Sequence, residues 1–167
     1  GASPIGPKMQ VWAVATAGGP PKLLGDGDSP AISPDGTRVA FTTYRKGNAD
    51  IYIKNANGVG NEVPLLDSPA TEIVEAWSHD GRYVAYLTGQ DNALDIYALP
   101  QFGDKKPLPI VQGRFQKNEP QFSYDGKWLA YTSDESGTFE VYVVSFPAAD
   151  QKLKISRDGG GEPRWRV

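Results

Sequence analysis

Ser78-His79-Asp80 carries the three residue types of a nucleophilic triad, and His79 is the only histidine in the chain. A triad needs its three side chains to converge in space with the imidazole between the other two. Consecutive residues on a tight turn point apart, so the spacing argues against that chemistry. Ser78 and Asp80 have counterparts in Ser33-Pro34-Asp35-Gly36 and Ser123-Tyr124-Asp125-Gly126, where no histidine stands. The expected role of all three is turn formation, in which Ser and Asp side chains bond nearby backbone amides. One histidine and no cysteine leave no basis for a His- or Cys-rich metal site.

Carboxylates offer a second candidate. Asp50, Asp95 and Glu140 each precede an aliphatic residue and a tyrosine, in Asp50-Ile51-Tyr52, Asp95-Ile96-Tyr97 and Glu140-Val141-Tyr142. An acid–base pair needs two carboxyls in unlike surroundings. Three acids at like positions predict a structural task instead, accepting hydrogen bonds from turn amides of their own segments. Asp26-Gly27-Asp28 lacks the further oxygen ligands and terminal Glu of a calcium loop. Gly159-Gly160-Gly161 precedes no helix that would aim amides at a phosphate, and reads as a flexible link. No residue is assigned a catalytic role, no cofactor is expected, and the chain reads as a non-enzyme.

What remains are loop clusters. Gln112-Gly113-Arg114-Phe115-Gln116-Lys117 combines cations with an aromatic ring, as does Tyr44-Arg45-Lys46. Loops on a rigid scaffold are favoured places for binding, and Arg and Tyr are frequent interface anchors. Tyr44, Arg45, Arg114, Phe115 and Lys117 are therefore the candidate binding residues, with a protein or peptide as ligand.

The elements that position these loops follow from a repeat. Tyr52, Tyr97 and Tyr142 are 45 residues apart, and the Ser-x-Asp-Gly segments keep the same interval. Between them, Val39-Ala40-Phe41, Val84-Ala85-Tyr86 and Leu129-Ala130-Tyr131 recur in step. A fixed period of this size marks a repeat architecture, here one four-stranded propeller blade per repeat. The 19 glycines and 14 prolines fall between short apolar runs, as turns do in an all-β protein. Prolines in the fourth strand of two repeats (Pro64; Pro107 and Pro109) suit an outer sheet edge.

The expected organisation is a leader over residues 1–9, a partial blade at 10–27, and blades at about 28–74, 75–118 and 119–161. Residues 162–167 are expected to open a further blade. Gly1-Ala2-Ser3 reads as a tag remnant. Trp12 takes the place of the later tyrosines, so Gln10–Leu24 reads as the third and fourth strands of a repeat. Glu162-Pro163-Arg164-Trp165 echoes Glu119-Pro120-Gln121-Phe122 and reads as a first strand. Ile32, Trp77, Phe122 and Trp165 share one position and are expected to pack between blades. A blade split between the termini would still lack its second strand. Sheet edges left open associate readily, so the expectation is a homodimer completing a ring of about eight blades. A four-bladed ring within one chain and a piece of a larger propeller are the alternatives.

A net charge of −3 gives no field for nucleic acid, and no apolar run approaches the roughly 20 residues of a membrane helix. The absence of cysteine excludes disulfides but selects no compartment.

Ser33-Pro34-Asp35-Gly36-Thr37-Arg38-Val39-Ala40-Phe41 and Gly47-Asn48-Ala49-Asp50-Ile51-Tyr52 resemble the WD40-like (PD40) repeats of the TolB type, over about residues 28–167 with a fainter echo at 10–27. His79 and Tyr124 in place of Pro34, and Glu140 in place of Asp, depart from the pattern. The resemblance implies a bacterial β-propeller serving as a binding platform, in a periplasmic or extracytoplasmic setting. Such repeats occur in TolB-like proteins, in sensory parts of membrane kinases, in prolyl-oligopeptidase-like hydrolases and in polysaccharide lyases. Gly159–Arg166 looks most like the kinase-associated group. A hydrolase or lyase propeller, and a half-propeller that only self-assembles, stand as alternatives.

Overall fold

The structure, a computed structural model, describes residues 8–66, 68–89 and 93–166. The described residues contain strands and turns but no helix. The strands are β1 (Gln10–Ala13), β2 (Lys22–Asp26), β3 (Asp28–Ile32), β4 (Arg38–Thr43), β5 (Asp50–Asn55), β6 (Val63–Leu66), β7 (Thr71–Trp77), β8 (Tyr83–Gly89), β9 (Asp95–Pro100), β10 (Leu108–Val111), β11 (Lys117–Phe122), β12 (Trp128–Ser133), β13 (Glu140–Ser145) and β14 (Lys152–Lys154). They form three antiparallel four-stranded sheets, β3–β6, β7–β10 and β11–β14, preceded by the two-stranded sheet β1–β2. We number the complete blades 1 to 3.

Register confirms the repeat at the level of single residues. Phe41 faces Tyr52, Tyr86 faces Tyr97, and Tyr131 faces Tyr142 across the second and third strands. Tyr52 faces Pro64, Tyr97 faces Pro109 and Tyr142 faces Lys154 across the third and fourth. Trp12 faces Leu23 in the same way, which makes β1–β2 the outer half of a blade. The inner strand of every blade carries an irregularity at one place, between Asp28 and Ala31, Val74 and Ala76, and Asn118 and Gln121. Ser29 and Glu119 take positive φ there, each followed by proline, whereas blade 2 has Val74-Glu75.

The core lies between sheets, because each strand alternates its side chains between the two neighbouring blades. Ala31, Ala40, Ile51 and Ile53 of blade 1 pack on Val74, Trp77, Val84, Tyr86 and Leu99 of blade 2. Ala85, Ile96 and Ala98 of blade 2 pack on Phe122, Leu129, Tyr131 and Tyr142 of blade 3. A smaller cluster joins Val11 and Leu24 of the half-blade to Val39, Phe41 and Tyr52.

Several expectations need correction. Residues 162–166 form no strand, since the described residues offer nothing to pair with. The segment is held instead by its Glu162 amide, which donates to Glu119 Oε2 at 2.7 Å, and by Trp165 Nε1, which donates to the Gln121 carbonyl at 2.9 Å. The inner strands begin earlier than expected, at Thr71 and Lys117. Trp77 and Phe122 are buried between blades, but Ile32 at the same position is 60% exposed. Within the expected leader, residues 1–7, including Gly1-Ala2-Ser3, lie outside the described residues. The Met9 carbonyl accepts from the Gly27 amide at 3.0 Å.

Candidate functional site

The Ser-x-Asp-Gly turns were readable from sequence because their hydrogen bonds are local. Ser33 Oγ donates to Asp35 Oδ1 at 2.5 Å, and Asp35 Oδ1 accepts from the Thr37 amide at 3.0 Å. Ser78–Asp80 and Ser123–Asp125 repeat this at 2.6 Å each. Each Ser Oγ also accepts from the amide that opens the next strand, at Arg38, Tyr83 and Trp128. The glycine that follows has φ near +70° in all three turns, a conformation that a Cβ disfavours. The Ser33 hydroxyl, with the Thr37 amide and hydroxyl, holds the Asp35 carboxyl down at about 2. Asp125 is lowered by the Ser123 hydroxyl.

These bonds dismantle the triad reading. The Ser78 hydroxyl is committed to Asp80, while the His79 ring leaves both and stacks on Tyr124 at 4.1 Å between centroids. His79 and Tyr124 are the variable tips of successive turns, so the stack ties blade 2 to blade 3.

Asp50, Asp95 and Glu140 occupy one register position, heading the third strand opposite Thr43, Thr88 and Ser133. Their partners differ. Asp50, fully buried, accepts from Asn48 Nδ2 at 3.3 Å, and its Oδ2 has no hydrogen-bond partner. Asp95 accepts from the Gly113 amide at 3.0 Å and from Lys117 Nζ at 3.1 Å. Glu140 accepts from the Ser156 hydroxyl and pairs with Lys154 at 3.1 Å; the Ser156 bond, with help from Lys154, holds its carboxyl below the usual range. Each acid has a structural task, but only Asp95 engages a residue of the next blade.

Strand order places the loop clusters. In an antiparallel sheet successive connections alternate between its two ends. The links from second to third strand and from one blade to the next therefore share an end, and Tyr44-Arg45 and Arg114-Phe115 both lie on it. Arg114 is exposed, its guanidinium 5.2 Å from the Phe115 ring centroid. Tyr44 is exposed and its hydroxyl donates to Asp28 Oδ2 at 3.2 Å; partial burial and the Asp28 charge both raise its pKa. Arg45 is more tightly used. It stacks over Tyr52 at 4.3 Å and pairs with Glu62 at 2.8 Å, a contact that strengthens its hold on the proton. An open-sided cavity of about 340 Å³ beside Tyr44 and Arg45 is also lined by Met9, Asp26 and Asp28.

Lys117 departs from the picture of an exposed loop cation. It is the first residue of β11, its side chain is 3% exposed, and its ammonium donates to Asp95 and to the carbonyls of Leu94, Gly113 and Phe115 at 2.5 to 3.3 Å. It holds the Arg114-Phe115 loop in shape rather than presenting its charge. Position alone did not reveal this, because Glu72 fills the same slot in blade 2, also buried. Among the described residues, no group of three or more His, Cys, Asp or Glu side chains could hold a metal.

Sequence reasoning passed over Glu75. It stands where blades 1 and 3 have Pro30 and Pro120, on the inner strand β7, half-buried. Burial, and secondarily the Glu119 charge, push its carboxyl up to about 7.

Radial four-stranded sheets in a common register, joined face to face by apolar side chains, define a β-propeller. The family model described as the TolB beta propeller domain matches residues 27–165, and the chain belongs to that family. No curated protein matches it in sequence. Among solved structures, a putative TolB from Agrobacterium tumefaciens superposes with a TM-score of 0.79 at 22% identity, over 91% of this chain and 56% of that one. TolB from Acinetobacter baumannii gives 0.74 at 19% identity, over 91% and 38%. The chain thus spans less than two thirds of either. The tricorn protease matches with a TM-score of 0.60 at 17% identity, over 76% of this chain and 15% of that one. At these identities the likeness is one of fold.

Proposed function

We propose that this chain is a non-catalytic propeller scaffold that binds a protein or peptide, as part of a bacterial sensor or envelope protein. The observation that supports the reading is the common end of the blades, which carries exposed Arg114 and Phe115 on the link between blades 2 and 3 and, on blade 1, Tyr44 and Arg45 with their cavity. Arginine stacked on an aromatic ring is a recurrent interface anchor, and Lys117 keeps that loop preorganised beneath it. The residues that resembled catalytic groups are occupied in turns and strand caps, which supports a role without chemistry. A displayed library of random peptides supplies the test. Sequences enriched on the wild type should lose at least tenfold in affinity for Arg114→Ala/Phe115→Ala. Undiminished binding by the double variant would remove this end from consideration.

A second reading is self-assembly of two copies into a ring of about eight blades. Large apolar side chains stand exposed on the first sheet, at Trp12, and on the last blade, at Phe139 and Leu153. Light scattering at micromolar concentration would show a dimer; a monomer excludes it. A third reading, the propeller part of a hydrolase, draws on the likeness to the tricorn protease and to prolyl endopeptidases. A hydrolase domain in the parent gene would support it.

A further inference from the structure

The two junctions between complete blades build one cage of oxygens and fill it differently. Between blades 2 and 3, the Lys117 ammonium donates to Asp95 Oδ1 at 3.1 Å and to the carbonyls of Leu94, Gly113 and Phe115 at 3.3, 2.5 and 2.8 Å. The residues 45 positions earlier are Asp50, Ala49, Ser68 and Ala70, with Glu72 in the place of the lysine. The Ser68 and Ala70 carbonyls converge as those of Gly113 and Phe115 do. Each lies 2.8 Å from Asn48 Nδ2, which also donates to Asp50 Oδ1 at 3.3 Å. The Glu72 amide donates to the Ala49 carbonyl at 2.8 Å and so seats the start of β7 beside the head of β5. Glu72 is 3% exposed, and its carboxylate accepts from Ser68 Oγ at 2.5 Å. The cage between blades 1 and 2 thus has a second acid, and a neutral amide where the next junction has an ammonium. Asp50 is fully buried, and its Oδ2 meets no hydrogen-bond donor among the described residues. Carboxylates buried without a compensating positive charge are costly. The repeat itself shows what such a cage accepts, which is a positive charge ringed by oxygens.

We propose that the junction of blades 1 and 2 binds one divalent cation of the calcium class at the position of Asn48 Nδ2. Its ligands are the Asp50 carboxylate, the Ser68 and Ala70 carbonyls and the Asn48 side-chain oxygen, with Glu72 as the second carboxylate. The Asn48 oxygen reaches the cation when the amide turns over, which exchanges a donor for an acceptor of nearly the same shape. Two acids match a double positive charge, and an all-oxygen set suits a hard ion. Calcium takes six to eight oxygens at about 2.3–2.6 Å in flexible geometry, whereas magnesium demands a near-octahedral set at about 2.0–2.1 Å. The oxygens lie 2.8 to 3.3 Å from the amide nitrogen, so a modest contraction reaches calcium distances, and water completes the shell. The bound ion fastens the link Ser68–Ala70 to both blades, as Lys117 fastens Gly113–Phe115. Two side-chain acids joined by backbone carbonyls leave no ligand signature in the spacing of the sequence. The site becomes visible only when one junction is laid on the next.

Calorimetric titration of the chelator-treated protein with calcium chloride tests the assignment, independently of any peptide bound at Arg114. One equivalent should bind with submillimolar affinity and raise Tm, and magnesium should bind at least tenfold more weakly. Asp50→Asn and Glu72→Gln should each weaken calcium by about tenfold or more. Glu72→Lys recreates the arrangement between blades 2 and 3. It should abolish calcium binding and give a Tm that calcium no longer moves, a result that stands even if Asp50→Asn does not fold. Glu75→Gln alters the separate acid pair with Glu119 and should bind calcium like the wild type. Neither heat nor a Tm shift at millimolar calcium would overturn the proposal, as would unchanged binding by Glu72→Lys or equal affinity for magnesium. Loss of binding in Glu75→Gln would assign the ion to the inner strands instead. A wild type that ignores calcium but gains Tm on acidification would show the two acids sharing a proton, which also rules the cation out.

Discussion

The junction between blades 2 and 3 and the open side of the half-blade are built from like sequence and end in unlike states. At the junction, Phe122 is 3% exposed and packs edge-to-face on Phe146, with ring centroids 5.0 Å apart. Tyr142 stacks on Tyr131, His79 stacks on Tyr124, and Lys117 of one blade reaches Asp95 of the other. At the open side, Ile32 and Trp12 fill the corresponding positions and face outward. The difference teaches that burial has two sources: Phe122 is covered by its own blade's Phe146 and by Ala85 of the preceding blade, and Tyr142 by Tyr131 of its own second strand, and Ile32 and Trp12 lack those neighbours among the described residues. Repeat units that contact only those adjacent leave the outermost copies of a position uncovered.

The strongest way to break the comparison is to truncate the two equivalent apolar residues. Phe122→Ala should cost about 3–5 kcal/mol, the range for emptying a packed aromatic site. Ile32→Ala should cost no more than about 0.5 kcal/mol, as exposed substitutions do. Urea unfolding of both variants checks this, and comparable losses would mean the open side is covered. The next effect concerns the junction's ion pair. Lys117→Met leaves Asp95 without its cation; removing one partner of a fully buried pair costs about 3–5 kcal/mol, but Asp95 keeps some contact with water, so about 2 kcal/mol is expected. The same variant should speed hydrogen exchange in residues 113–116, where its ammonium holds two carbonyls.

A pH effect sharpens the picture near the inner strands. The folded pKa of Glu75, about 7, lies above the ordinary 4.5, so the fold favours the protonated carboxyl. Its contribution is intact below about pH 4.5, falls as pH rises, and beyond pH 7 amounts to a penalty of at most about 3.5 kcal/mol at about 1.4 kcal/mol per pH unit. Glu75→Gln should therefore raise Tm at pH 8 and leave it nearly unchanged at pH 4.5. An equal shift at both pH values would show that ionisation is not the cause.

The candidate site was legible in proportion to how local its bonds are. Ser78-His79-Asp80 was read as a turn because the Ser–Asp bond spans two residues. Arg114 and Phe115 were read as a loop pair for the same reason. Lys117 was misplaced because its partner Asp95 is 22 residues away in another blade. Glu75 was passed over because its altered carboxyl depends on burial between blades and on Glu119.

By itself, the sequence determined the period, the strand order, the register and the turns. Those features follow from alternation along a strand and from side chains bonding the backbone within a few residues, and they recur wherever the same few residues recur. Tertiary structure decided which copy of each position is covered, which acid meets a cation and where residues 162–166 attach. Those outcomes depend on the surface that an adjacent sheet presents, and the same residue beside a different neighbour has a different fate.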